Sequence, residues 1–238
     1  MADGTTYDDA MTPTSTVAWF VFRVDPNQSY SIEVWSPFGK FGDIGNAVYL
    51  AGPFEFDGTT LIATASRPLD FPSPQVEPGL TQGERHTFIN SGSARRLAVE
   101  VHWTSGAPSA TVYFAIRIVT TTLASTRWSV NGYSDFIALS NVASTDGVSS
   151  ITGSILYFNE AGTLVGSDPF SLGPDASVQI VKPNGVAIGG ALKGGIRVVH
   201  DGAPGAILAH QLWFNPVTNA YIQYPFVPLV HSYGRGAI

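Results

Sequence analysis

Acyl-transfer chemistry needs a hydroxyl or thiol, a histidine and a carboxylate brought together, and a transition metal needs clustered imidazole, thiolate or carboxylate ligands. The five histidines, His86, His102, His200, His210 and His231, stand singly, with no i, i+2 pair among them. His102 follows Glu100 and His200 precedes Asp201, neighbourhoods that chance supplies. Serines are plentiful, yet no G-x-S-x-G elbow occurs and no helical periodicity exists to follow one. Cysteine is absent, which removes thiolate nucleophiles, disulfides and Cys-ligated zinc. No enzyme is expected, for want of any motif. Calcium is the ion these loops would take, because Asp8, Asp9, Asp43 and Asp57 supply hard oxygen ligands in turn-like stretches. Asx-turn chemistry is the competing account of the same carboxylates. No other cofactor is expected.

Binding chemistry has more to work with. Trp35, Phe38 and Phe41 cluster around the loop at 36–42, Tyr221, Tyr224 and Phe226 crowd the last apolar run, and Tyr233 lies in the tail. Exposed aromatics of this kind either offer platforms to a polysaccharide or fill a protein interface. Nucleic acid is a poor partner: 13% of residues are charged, the balance is -6, and Lys occurs three times, at 40, 182 and 193. No apolar run approaches the length of a membrane span, so membrane insertion is not expected. The start, MADGTTYDDAMTPTS, has neither a basic n-region nor an apolar h-region, so export would require a signal peptide outside this numbering.

The elements that must position these residues read as strands. A chain with 44% hydrophobic residues, 25 Gly and 16 Pro, rich in Thr, Ser and Val, has the usage of an all-β protein with many turns. Residues 190–214 predict a hairpin, with strands over 196–200 and 206–214 joined by Asp201-Gly202-Ala203-Pro204-Gly205 and the second strand covered on both faces. Val17 to Val24 and Tyr30 to Trp35 predict another around Asp25-Pro26-Asn27, with Glu33 on a wet side. Leu97 to Trp103 and Ala110 to Val119 predict a third. Prolines at 68, 72, 74 and 78 exclude central strands from the middle of the first half. Further strands follow over 135–141, 149–158, 163–170, 177–181 and 220–227, punctuated by turns at Asn159-Glu160-Ala161-Gly162 and Gly173-Pro174-Asp175.

This spacing predicts two tandem antiparallel β-sandwich domains of Ig-like or jelly-roll-like type: an N-terminal arm over 1–15, a first sandwich over 16–122, a second over 123–230 and a tail over 231–238, with a Thr-rich linker at 120–127.

The first half resembles the bacterial pre-peptidase C-terminal domains, small β-sandwiches attached to secreted enzymes and surface proteins. The resemblance rests on Tyr7-Asp8-Asp9-Ala10 ahead of Trp19-Phe20-Val21-Phe22-Arg23-Val24, then Gln28-Ser29-Tyr30-Ser31-Ile32-Glu33-Val34. Ala18 and Asn27 depart from the acidic residue and the Gly that such domains carry there, which weakens any calcium site the resemblance implies. The second half is similar to sandwich modules of bacterial exported surface proteins, through Phe136 to Asn141, Gly195-Ile196-Arg197-Val198-Val199 and Trp213-Phe214. Both resemblances imply an extracellular or cell-surface place. The expectation is a structural or adhesive protein that associates with copies of itself into a surface assembly or filament, through edge strands and ends such as 5–16. The alternative is a carbohydrate-binding accessory module of a secreted enzyme.

Overall fold

The computed structural model describes residues 6–35, 48–55, 65–68, 83–103, 111–143 and 150–229. Among them every regular element is a strand and every ladder is antiparallel. Phe38, Phe41, Asp43, Asp57, His231 and Tyr233 lie outside the described residues. The described residues divide into two compact units, the first ending at Thr120 and the second spanning Thr121–Leu229.

In the first unit, β1 (Thr6–Met11), β8 (Val112–Thr120), β3 (Gln28–Trp35), β6 (Gly83–Asn90) and β5 (Ala65–Pro68) form one sheet in that order. A second sheet holds β2 (Val17–Val24), β7 (Arg95–Trp103) and β4 (Val48–Glu55). Alternation sends Phe22 and Val24 from one sheet and Tyr30, Ile32, Val34, Phe114 and Ile116 from the other into a shared core. Each such side chain, fully buried, contributes about 1.5–3 kcal/mol. The proline-bearing strands β4 and β5 lie at sheet edges, as the missing N–H of proline demands.

In the second unit, β13 (Ser177–Lys182), β10 (Ser134–Asn141), β15 (Ile207–Phe214) and β16 (Tyr221–Pro225) make a four-stranded sheet. It faces a five-stranded one ordered β12 (Leu164–Leu172), β11 (Ile151–Phe158), β14 (Lys193–His200), β9 (Leu123–Ser129) and β17 (Val227–Pro228). Ile137, Leu139, Ile207, Ile155, Tyr157, Ile196, Val198 and Trp128 fill the space between them.

Several expectations are corrected. Residues 6–11 are no free arm: β1 pairs with β8 over its whole length, and Met11 is completely buried. The stretch at 120–127 is no linker, since Thr121 and Thr122 are buried and β9 begins at Leu123. The three predicted hairpins are arches, with β2 and β3, β7 and β8, and β14 and β15 each split between two sheets. At the first arch, Tyr30 Oη accepts from the Asp25 amide at 2.8 Å and Asn90 Nδ2 donates to the Asp25 carbonyl at 2.8 Å. At the arch after β14, the Asp201 carboxylate takes the Thr152 amide and hydroxyl, each at 2.8 Å. At the first arch, polar groups a hairpin ladder would have satisfied are thus met by side chains of other strands, and at the second the Asp201 amide is met by the Thr152 carbonyl. The Asn159 turn does join neighbours: β11 and β12 pair, Asn159 Oδ1 accepts from the amides of Ala161 and Thr163, and Gly162 takes φ 78°.

Candidate functional site

The inward residues of β10 follow strict alternation, Asp135, Ile137, Leu139 and Asn141, and this places a carboxylate at one end of the second unit's core. Asp135 is completely buried. Its register partners are Lys182 on β13 and Trp213 on β15. Gln211 Nε2 donates to Asp135 Oδ2 at 2.8 Å, and the Ser129 amide donates to the same oxygen at 3.4 Å. Asp135 Oδ1, Gln211 Oε1 and Trp213 Nε1 are buried without a hydrogen bond. Burial pushes the carboxyl up to about 7, against the opposing pull of Gln211, the Ser129 amide and the Trp213 indole, which leans toward the group without completing a bond. Nearby, Tyr157 Oη donates to Asp168 Oδ2 at 2.8 Å, and Lys182 Nζ lies 2.6 Å from the same oxygen and 5.1 Å from the centre of the Tyr157 ring. Burial, then the Asp168 carboxylate, hold the Tyr157 hydroxyl well above the usual phenol range.

A cleft of about 710 Å³ opens in the same unit, where the register of β14 against β9 shifts between Gly194 and Ile196. Trp213 and Ser129, both contiguous with the Asp135 cluster, line it, together with Arg127, Lys193, Arg197 and Phe158. The Arg197 guanidinium carbon sits 4.9 Å from the centre of the Phe158 ring, and Lys193 Nζ is 2.9 Å from Glu160 Oε1. Arg127 is exposed and has no ion-pair or hydrogen-bond partner among the described residues. Asp135 itself does not line the cleft.

A second charged cluster lies in the first unit. Glu33, expected on a wet face, is completely buried. Arg85 Nε donates to its Oε1 at 3.0 Å, Arg117 Nε to its Oε2 at 2.5 Å, and Ser31 Oγ to Oε1 at 3.2 Å. Each carboxylate oxygen therefore meets a guanidinium, the arrangement that makes a buried carboxylate tolerable.

The residues singled out from sequence scatter. Trp35 is half-buried at the end of β3, with the Arg117 guanidinium carbon 5.4 Å from its ring centre. On β16 the alternation splits the aromatics: Tyr221 is 68% exposed, whereas Tyr224 packs on Trp213 with ring centres 4.5 Å apart. Phe226, just beyond, packs against the core. Asp8 and Asp9 are adjacent on β1 and so point to opposite sides of a sheet, with Asp9 Oδ1 taken by the Ala10 amide at 2.8 Å. No group of three or more metal-ligating side chains converges among the described residues. His86 Nδ1 sits 2.7 Å from the Gly52 carbonyl, His102 Nδ1 lies 3.7 Å from Glu100, His200 Nδ1 accepts from the Gly202 amide at 3.1 Å, and His210 is exposed. Asp201 binds the amide and hydroxyl of Thr152. Sequence reasoning missed Asp135, Gln211 and the cleft arginines; the phase of Asp135 with Ile137 and Leu139 was the available signal.

No protein-family model matches the chain, and no curated protein matches it. Among solved structures it is similar to the adhesin domain of Epf from Streptococcus pyogenes, with 13% identity and a TM-score of 0.32, over 96% of this chain and 78% of that one. A likeness of that size assigns no family.

Proposed function

We propose that this is a non-enzymatic structural or adhesive protein of the bacterial cell exterior, which polymerises by joining the two edges of its four-stranded sheet. The observation that carries the reading is strand parity. β13 and β16 each pair on one side alone among the described residues, and the antiparallel order β13, β10, β15, β16 gives these two edges opposite directions. A translated copy therefore sets its β13 antiparallel to β16, and the sheet continues without a change of pattern. Such a head-to-tail contact does not close on itself.

The edges carry little of what monomers use to block this contact. Lys182, the lysine on β13, is turned to Asp168, and proline stands at or beyond the strand ends, at Pro183 and Pro225. Val181, Leu208 and Tyr221 are exposed on the outer face of the same sheet. The two sequence resemblances support an exterior location. Sedimentation velocity and negative-stain microscopy across a concentration series test the reading. Polymers that dissociate in the double variant Val181→Lys, Tyr221→Lys are the expected result. A protein that remains monomeric, or stops at dimers, at high concentration overturns it.

A further inference from the structure

We propose that the cleft between β9 and β14 is a binding site for an acidic sugar, with a carboxylate of the uronate type received by Arg127 and Arg197. This goes beyond the polymerisation reading and does not depend on it.

The first argument is the distribution of charge. Between Thr121 and Leu229 the sequence holds four cationic side chains, Arg127, Lys182, Lys193 and Arg197, against six carboxylates. Three of those four cations line the cleft, and Glu160 is the one carboxylate there. A unit of net negative charge thus gathers its positive groups at one concave place, where their field reinforces itself.

The second argument is preorganisation. The Arg197 guanidinium is held over the Phe158 ring, its central carbon 4.9 Å from the ring centre, and Arg127 is unpaired among the described residues. A guanidinium held on a ring loses less freedom on binding than a free one, and its planar fork suits a carboxylate. Lys193 is engaged with Glu160.

The third argument is the rest of the wall. Gly194 and Gly195 leave backbone open to the cleft, Gly195 has no heavy atom within 4 Å of where a Cβ would stand, and Ser125 and Asn159 add polar groups. The aromatic rings there, Trp128, Phe158 and Trp213, are at least nine-tenths buried, so the cleft offers no deep apolar socket for a lipid or a large hydrophobic side chain. An open polar wall with two guanidiniums suits a polyol that carries an anion. The volume falls within the roughly 300–1,000 Å³ usual for small-ligand sites.

The test is amide-shift NMR titration of the full chain with trigalacturonate, with a neutral maltotriose arm and a sulfated-disaccharide arm, at low and high salt. Trigalacturonate should move the Gly194, Gly195 and Arg197 amides, and salt should weaken it. The substitution Arg127→Ala, at an exposed side chain, should weaken it about tenfold or more, the size of one charge-assisted contact. Arg197→Lys, which keeps the charge but loses the fork, should weaken it as well. No movement of these amides, equal binding of maltotriose, or an unchanged affinity in Arg127→Ala overturns the site. Sulfated disaccharide binding as tightly as trigalacturonate overturns the carboxylate assignment.

Discussion

The substitution Asp135→Asn should abolish a pH dependence that the native chain carries. The carboxyl rises from 3.8 to about 7 in the folded state, chiefly because burial disfavours its charge. The folded protein therefore holds a proton that the unfolded chain releases. A group whose folded pKa is raised contributes stability that is complete below the unfolded value and lost as pH climbs through the folded one. At 1.36 kcal/mol per pKa unit, the whole contribution is about 4 kcal/mol, of which more than half disappears between about pH 5 and pH 8. Protonation also supplies a donor in a cluster where Asp135 Oδ1 and Gln211 Oε1 both lack one. Asparagine keeps the acceptor that Gln211 Nε2 uses and adds an N–H, with no charge to desolvate. Urea unfolding of the native and Asp135→Asn proteins across this range should give curves that diverge as pH rises, with the variant ahead at the alkaline end. Parallel curves would refute the argument. So would a carbon-13 titration of the Asp135 carboxyl with its midpoint in the ordinary carboxylate range.

Other expectations are shorter to state. Glu33→Ala strips the shared partner from Arg85, which is 8% exposed in its side chain, and from Arg117, and should cost about 3–5 kcal/mol in denaturant unfolding. If the loss is within the error of the measurement, the buried ion cluster does not hold the β3 face as described. The adjacent glycines Gly194 and Gly195 should respond differently to alanine. A methyl at Gly194 would overlap the Phe158 carbonyl and the Asn159 backbone, whereas one at Gly195 meets nothing within 4 Å. Gly194→Ala should therefore lower the thermal midpoint, by roughly 1–3 kcal/mol in stability, and Gly195→Ala should leave it nearly in place. Equal midpoints for the two variants would show that the close approach of β14 to the β11 turn is not maintained.

Strand positions were legible along the chain because alternation and turn chemistry are local. The covered faces were not all so: residues 206–214 were expected to be covered on both faces, yet Leu208 and His210 are exposed, and Glu33, expected wet, is buried. Ile137, Leu139, Ile155 and Val198 could be placed in a core from their phase alone, and the Asn159 turn joined the strands it was expected to join. The same local signals could not say which strand a turn leads to. Asp25-Pro26-Asn27 and Asp201 to Gly205 reverse the chain equally well within a sheet or across two. The choice falls to distant partners, Asn90 for the first and Thr152 for the second. Residues 6–11 looked like a free arm because little apolar side chain marks an edge strand, and the ladder to β8, remote in sequence, is what makes it one. The chemistry followed the same division. The types and order of Asp135, Gln211, Arg127 and Arg197 are written in the chain, but their convergence depends on register between strands far apart in sequence. Hydrogen-bond pairing and the burial of shared faces decide that register only after the chain has collapsed.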